Sequence, residues 1–299
     1  MPADQLITTT PTAATSHPGQ PAWSQVHVEF ADWPTAYTTA THQLRPLLDD
    51  LSRGAGWWFI RKHPCWRIRY RGIDDDTHHH LATGLDALVG DSTLRRWAST
   101  IYEPETLAFG GPAAIDIAHD LFCHDSRVVL DLLNPQAPSA PGPGSPGRTE
   151  LSILAISRML RGAGQDWFEQ GDVWARVADI RGTPDPPPYR TTTDAPAALH
   201  RLLTLDTGPH SPLIEHGPLT PLTSWLTAFD DTGTRLAALA SHGRLSRGLR
   251  AVLTHHVIFH WNRLGLPRHT QQTLADLARD VITERHGART PWPSCPAGR

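Results

Sequence analysis

The sequence predicts an α+β fold, a small antiparallel sheet with packed helices followed by a helix-rich second half. Three observations predict it. Val26, Val28 and Phe30 alternate along 23–30 as in a half-buried strand. Two short apolar runs flank His63-Pro64 within 57–71, as in a β-hairpin. From residue 149 onward, apolar residues recur at helical spacing in segment after segment.

Taken in order, residues 1–22 hold few large apolar groups and are expected to be disordered. Trp23–Phe30 reads as a strand, and Thr35–Leu51 as a helix through Ala36, Leu44, Leu47, Leu48 and Leu51. The hairpin over 57–71 follows. Asp74–Val89 reads as a helix whose acidic first turn suits the macrodipole. Thr100–Glu103 reads as a further strand, and Gly110-Gly111-Pro112 opens a helix over 113–132. Residues 134–148 are Pro/Gly-rich and form a linker or surface loop. Helices are expected over 149–162, 167–180, 195–205, 219–241, 247–264 and 269–285, with Pro184–Pro188 as a breaker. The expectation is one folded domain over 23–286 and a disordered tail over 287–299.

Composition narrows the function classes. With 299 residues and a formal charge of -3, bulk nucleic-acid binding is disfavoured. No apolar run approaches a membrane-spanning length, and no basic-then-apolar signal opens the chain. Cys65, Cys123 and Cys295 have no paired spacing, which argues against a disulfide framework or zinc ribbon. These features predict a soluble protein of the cytoplasm. Eleven tryptophans favour a protein with a cleft or an interface.

Four segments hold the candidate chemistry. On a strand over 65–71, Cys65, Arg67, Arg69 and Arg71 face one way and Trp66, Ile68 and Tyr70 the other. The basic face is either a solvated outer face or a wall that binds anions or carbonyls through guanidinium forks. In 253–265, Leu253, Val257, Trp261 and Leu264 keep core spacing, while His256, His260 and Arg263 share a neighbouring stripe. A histidine pair at i, i+4 can hold zinc, sit hydrogen-bonded in a core, or act as acid and base; no third ligand or intervening Glu favours zinc. Tyr102 and Glu105, ahead of Gly110-Gly111, offer a phenol and a carboxylate, or a core ring and a capping group. Trp167–Trp174 is aromatic enough for packing or for part of a peptide groove. Asp125-Ser126 is expected to cap a short following helix, and His78-His79-His80 to lie on the surface.

Together, Trp58–Arg61 with Cys65–Arg69, Tyr102–Gly111, Ala118–Leu130, Trp167–Trp174 and His260–Leu264 resemble the thiopeptide-type bacteriocin biosynthesis family, related to the elimination domains of lantibiotic dehydratases. The resemblance spans residues 23–265. It implies an elimination-domain-like catalytic domain with no metal and no cofactor. Its substrate would be a modified precursor peptide, a leader joined to a dehydroalanine-containing core. Other biosynthetic enzymes are implied partners, a homodimer is a family habit, and nucleic acid and membrane are not partners. Two activities belong to such a family: pyridine synthesis, a formal aza-[4+2] cycloaddition of two dehydroalanines with loss of water and leader, and glutamate elimination from glutamylated Ser or Thr. The eliminases' pattern has arginine at Ala108 and histidine at Ile258, so the resemblance favours the synthase. A leader-binding partner of a dehydratase, without turnover, is the third reading. The implied catalytic residues are His256, His260, Tyr102 and Glu105; Arg61, Arg67, Arg69, Asn262, Arg263, Trp167 and Trp174 are the implied peptide contacts.

Overall fold

The computed structural model describes residues 23–50, 56–72, 74–132, 134, 146–182 and 194–287, with side chains as far as 283. The expected disorder of 1–22 and, apart from helical Gly287, of 287–299, most of the 134–148 loop, the Pro184–Pro188 breaker, Leu51 and Cys295 lie outside the described residues. The described chain is α+β, and packing divides it into two compact units: Met1–Glu105 with Phe122–Pro135, and Thr106–Leu121 with Gln136–Arg299.

The first unit is built on one four-stranded sheet. Strands β1 (Trp23–Phe30), β2 (Gly56–Lys62), β3 (Cys65–Arg71) and β4 (Leu94–Thr100) lie in the order β2-β3-β1-β4, every neighbour antiparallel. Alternation along β1 and β3 buries Val26, Val28 and Phe30 with Trp66, Ile68 and Tyr70. Phe59 stacks on Trp66 across the hairpin, with centroids 4.5 Å apart. The strand expected at Thr100–Glu103 is displaced: β4 ends at Thr100 and 101–105 is irregular. The cause is register. Leu94–Thr100 pairs with β1 as an edge strand whose Arg95 and Arg96 reach Glu29, so its polarity hid it.

The helix expected over 35–51 is a composite of α1 (Ala36–Thr39), a π-helical stretch (Ala40–Leu44) and α2 (Arg45–Asp50). Helix α3 (Asp75–Gly90) starts where its cap stands, with Asp74 accepting from the Thr77 N–H at 2.8 Å. Helix α4 (Pro112–Asp131) runs on through Asp125-Ser126, which corrects their expected capping role. Both are buried, and Ser126 Oγ accepts the Phe59 N–H at 3.1 Å. That bond satisfies a donor on the outer strand β2. Arg127 lies over the Trp57 ring, 5.0 Å from its centroid.

The second unit is helical. Its elements are the start of α4, then α5 (Arg148–Gly162), α6 (Trp167–Arg181), α7 (Ala195–Thr204), α8 (Pro212–Glu215), a 3-10 turn (Thr220–Leu222), α9 (Thr223–Ser241), α10 (Leu249–Leu264) and α11 (Arg268–Gly287). The short α8, which begins at Pro212, and the 3-10 start before α9, whose second residue is Pro221, depart from the expected uniform helices. Helices α5 and α9 approach closely because Gly233 has no side chain: a Cβ there would lie 2.1 Å from the Met159 carbonyl oxygen. Helix α6 begins with a capping box between Asp166 and Glu169. Helix α10 is buried around most of its circumference, and left-handed Gly265 (φ 73°) ends it.

Candidate functional site

In the first unit, the sheet alternation places Gln25, His27, Trp58, Arg67, Arg69 and Thr100 on one face. The three strand arginines do not share an environment. Arg67 and Arg71 are half-buried, whereas Arg69 is only 2 % exposed. Arg69 Nε donates to Gln25 Oε1 at 2.6 Å, and the Gln25 amide nitrogen donates to Thr100 Oγ1 at 2.9 Å and the Ile101 carbonyl at 3.1 Å. The Arg69 guanidinium lies 4.3 Å from the Trp58 ring centroid and 5.2 Å from that of Tyr102. Each such contact stabilises a desolvated cation by roughly 0.5–2 kcal/mol. Tyr102 packs edge-on to Trp58 and Trp23, and burial, then the Glu105 charge, raises its phenol pKa well above the usual value. It therefore stays protonated at any ordinary pH and can donate a hydrogen bond. Glu105 itself is exposed.

Arg61 departs from the expected peptide-contacting group. Its partner across the hairpin is Trp66, so it lies on the opposite face from Arg67 and Arg69. There its guanidinium sits 4.2 Å from the Tyr37 centroid and 5.1 Å from that of Trp33. His27 stands opposite Arg67 on the polar face; burial and then the charges of Arg67 and Arg69 lower its pKa.

In the second unit, the turn before α4 closes on α10. Gly110 (φ 92°) and Gly111 (φ 108°) take the left-handed region, and the Gly110 carbonyl accepts the Ser246 N–H at 2.9 Å. A Cβ on Gly110 would lie 2.9 Å from Val252 Cγ2, so only glycine fits both the torsion and the contact. The turn thereby holds the Phe109 ring edge-to-face against His256 (4.9 Å) and Phe259 (4.9 Å), with His255 at 6.2 Å.

His256 is buried, and its Nδ1 lies 3.0 Å from the Val252 carbonyl oxygen. A carbonyl only accepts, so Nδ1 carries the hydrogen and Nε2 the lone pair. Burial lowers the His256 pKa to about 4, which keeps the ring neutral near pH 7. His255 shows the same arrangement, Nδ1 to the Ala251 oxygen at 2.9 Å, but is half-exposed. His260 is buried against Phe229 and Trp225, with centroids 5.1 and 5.9 Å away, and Arg263 is fully buried. Asn262 Oδ1 accepts from Gln271 at 3.0 Å and Arg181 at 3.3 Å, a bridge between helices. Trp174 is a core residue, stacked 5.6 Å from Trp261, whose indole N–H donates to Ser152 Oγ at 2.7 Å. Trp167 donates to the Ile282 carbonyl at 3.2 Å.

The implied site residues thus form two groups. Arg69 and Tyr102 meet in the first unit, with half-buried Arg67 on the same sheet face as Arg69; His256, His260 and Arg263 are buried along α10 in the second. Asn262 and Trp174 serve helix packing. Gln25, His27 and His255 stand beside these groups without being among the expected site residues. The polar positions 25 and 27 of β1 were legible from the same alternation that exposed its apolar face; His255 lies next to His256 but off the stripe that drew notice. Among the described residues, no group of three or more His, Cys, Asp or Glu could hold a metal ion, and no helix is long and apolar enough to cross a membrane.

A family model for the C-terminal region of lantibiotic biosynthesis dehydratases matches residues 23–282. No curated protein matches the chain. Among solved structures, the tRNA-dependent lantibiotic dehydratase MibB from Microbispora sp. 107891 is similar at a TM-score of 0.67 and 18% identity, over 92% of this chain. The match spans 29% of MibB. TsrL is similar at 0.59 and 15% identity, over 89% of this chain and 95% of its own. TbtD, the pyridine synthase from thiomuracin biosynthesis, is similar at 0.55 and 14% identity, over 89% and 99%. At these identities, the likeness is one of fold.

Proposed function

The chain belongs to the lantibiotic dehydratase C-terminal family, and from that premise we propose that it is a thiopeptide pyridine synthase. The observation that carries the reading is at residues 108 and 258. An eliminase needs a cation and a base there, by the family resemblance, and this chain has Ala108 and the buried aliphatic Ile258. The fold shared with TbtD supports it.

In the proposed reaction, two dehydroalanines of a leader-linked peptide join in a formal aza-[4+2] cycloaddition. Two bonds form, then water and the leader amide leave as the ring becomes a pyridine. Holding the two alkenes together supplies much of the rate. One backbone amide must reach its iminol form, which needs a proton acceptor and a donor. His255, half-exposed with its Nδ1 on the Ala251 carbonyl oxygen, is the acceptor this reading assigns. His256 and Phe109 fix the helix face beside it. Taken by itself, the first unit holds Tyr102, which burial keeps protonated, and half-buried Arg67, whose guanidinium suits a carbonyl that gains charge.

One observation favours glutamate elimination as the second reading: Arg247 Nη1 lies 3.4 Å from the Ala108 carbonyl oxygen and returns a cation to that neighbourhood. Mass spectrometry separates the two. With a leader-linked peptide holding two dehydroalanines, the synthase releases leader amide and a pyridine macrocycle; an unchanged peptide sinks the proposal. A glutamylated precursor that loses glutamate establishes elimination instead.

A further inference from the structure

A second polar site lies in the helical unit, where the loop 205–211 crosses α5. Arg161 Nη1 donates to the Leu205 carbonyl at 3.0 Å, and a Cβ on Gly208 would lie 3.6 Å from Arg158 Nη1, so the loop rests on both arginines. Arg158 is paired with Asp230 at 2.8 Å, while Arg161 donates to the Ser157 and Leu205 carbonyls. Asp206 is exposed and turns one oxygen back to the Gly208 N–H at 2.7 Å.

Five buried polar atoms on α5 and this loop have no hydrogen-bond partner. They are Arg158 Nε, Arg161 Nη2, Ser157 Oγ, Thr207 Oγ1 and Ser211 Oγ. Thr207 is 1 % exposed and Ser211 3 %. A buried polar group left unsatisfied is destabilising, so each of these atoms calls for a partner. All five can donate, and two belong to guanidiniums, which favours an acceptor-rich and negatively charged occupant. Burial and the neighbouring Arg158 lower the Arg161 pKa against the opposing pull of Asp206 and Asp230, as expected where a cation lacks close compensation.

We propose that Arg158, Arg161, Thr207 and Ser211 form a binding site for a small oxyanion, held under the 205–211 loop. The shared chemistry is that of a phosphoryl or carboxylate group. Asp230 does not oppose it, since its charge is engaged by Arg158 Nη2 and the anion meets Nε of that residue instead.

The test is calorimetric titration of the full chain with inorganic phosphate and, separately, acetate, in chloride buffer of constant ionic strength. One saturable site is expected. The double variant Thr207→Val with Ser211→Ala keeps side-chain size and should weaken binding at least tenfold; Arg161→Gln should do the same. Circular dichroism melting confirms that each variant is folded. Tighter binding of phosphate identifies a phosphoryl ligand, and equal or tighter binding of acetate a carboxylate. Absence of saturable binding, unchanged binding in the folded double variant, or a crystal structure grown with phosphate that shows only water under the loop would each overturn the proposal.

Discussion

Gln25 and Arg69 face each other across β1 and β3, joined by a 2.6 Å hydrogen bond, and the same glutamine donates onward to Thr100 and Ile101. One neutral side chain therefore orients a buried cation and ties the end of β4 to it. Gln25→Leu removes the acceptor from a desolvated guanidinium and should destabilise by about 1–3 kcal/mol in urea unfolding. Gln25→Glu, which supplies a charged acceptor, should unfold at a higher urea concentration than Gln25→Leu.

Gly110→Ala places a Cβ 2.9 Å from Val252 in a left-handed backbone (φ 92°). Strain and overlap together should lower stability by about 2–4 kcal/mol. Gly164→Ala is the comparison: it shares the positive φ (69°) but its Cβ meets nothing within 4 Å, so about 1–2 kcal/mol is expected. Equal losses would show that the contact with Val252 contributes nothing.

His256 titrates near 6.5 when unfolded and at about 4 when folded. Between those values the unfolded chain binds the extra proton, so stability falls as pH drops from about 6.5 towards 4 and is unaffected above that window. The loss attributable to this ring is on the order of 3 kcal/mol. Comparing the unfolding free energy of wild type and His256→Gln from pH 7 to 4 should show a shallower slope in the variant.

Ser126→Ala takes the acceptor from the Phe59 N–H beside the outer strand. A loss of about 1–2 kcal/mol is expected, and the Phe59 amide should exchange with deuterium faster than its neighbours on β2.

Tyr102→Phe keeps the ring against Trp58 and Arg69 and deletes only the donor. In the cyclisation assay a proton-donating phenol predicts a fall in turnover of about 10²-fold or more, with the melting temperature little changed. Unaltered turnover would leave Tyr102 as a packing residue.

Much of this was legible in the sequence, for definite reasons. A strand with one buried face announces itself by alternation, which is why β1 and β3 stand where Val26–Phe30 and Trp66–Tyr70 predict. Helix ends near Asp74 and Gly265 are equally readable, because capping is local chemistry. Burial of a charge is not local. Nothing within 65–71 says that Arg69 is enclosed and Arg67 is not; that depends on Gln25, Trp58 and Tyr102, all distant in sequence. The same holds for Ser126, whose role rests on a strand 67 residues away. An edge strand as polar as β4 carries little periodic signal, and its position follows only from pairing with β1.

The tip of the β2–β3 hairpin has a use of its own. Lys62, the only lysine in the chain, is exposed there, with Cys65 as its cross-strand neighbour. The sequence thus offers a single side-chain amine, placed beside a thiol at a known point of the sheet. A short amine-to-thiol reagent would clip its tip shut without any engineered residue.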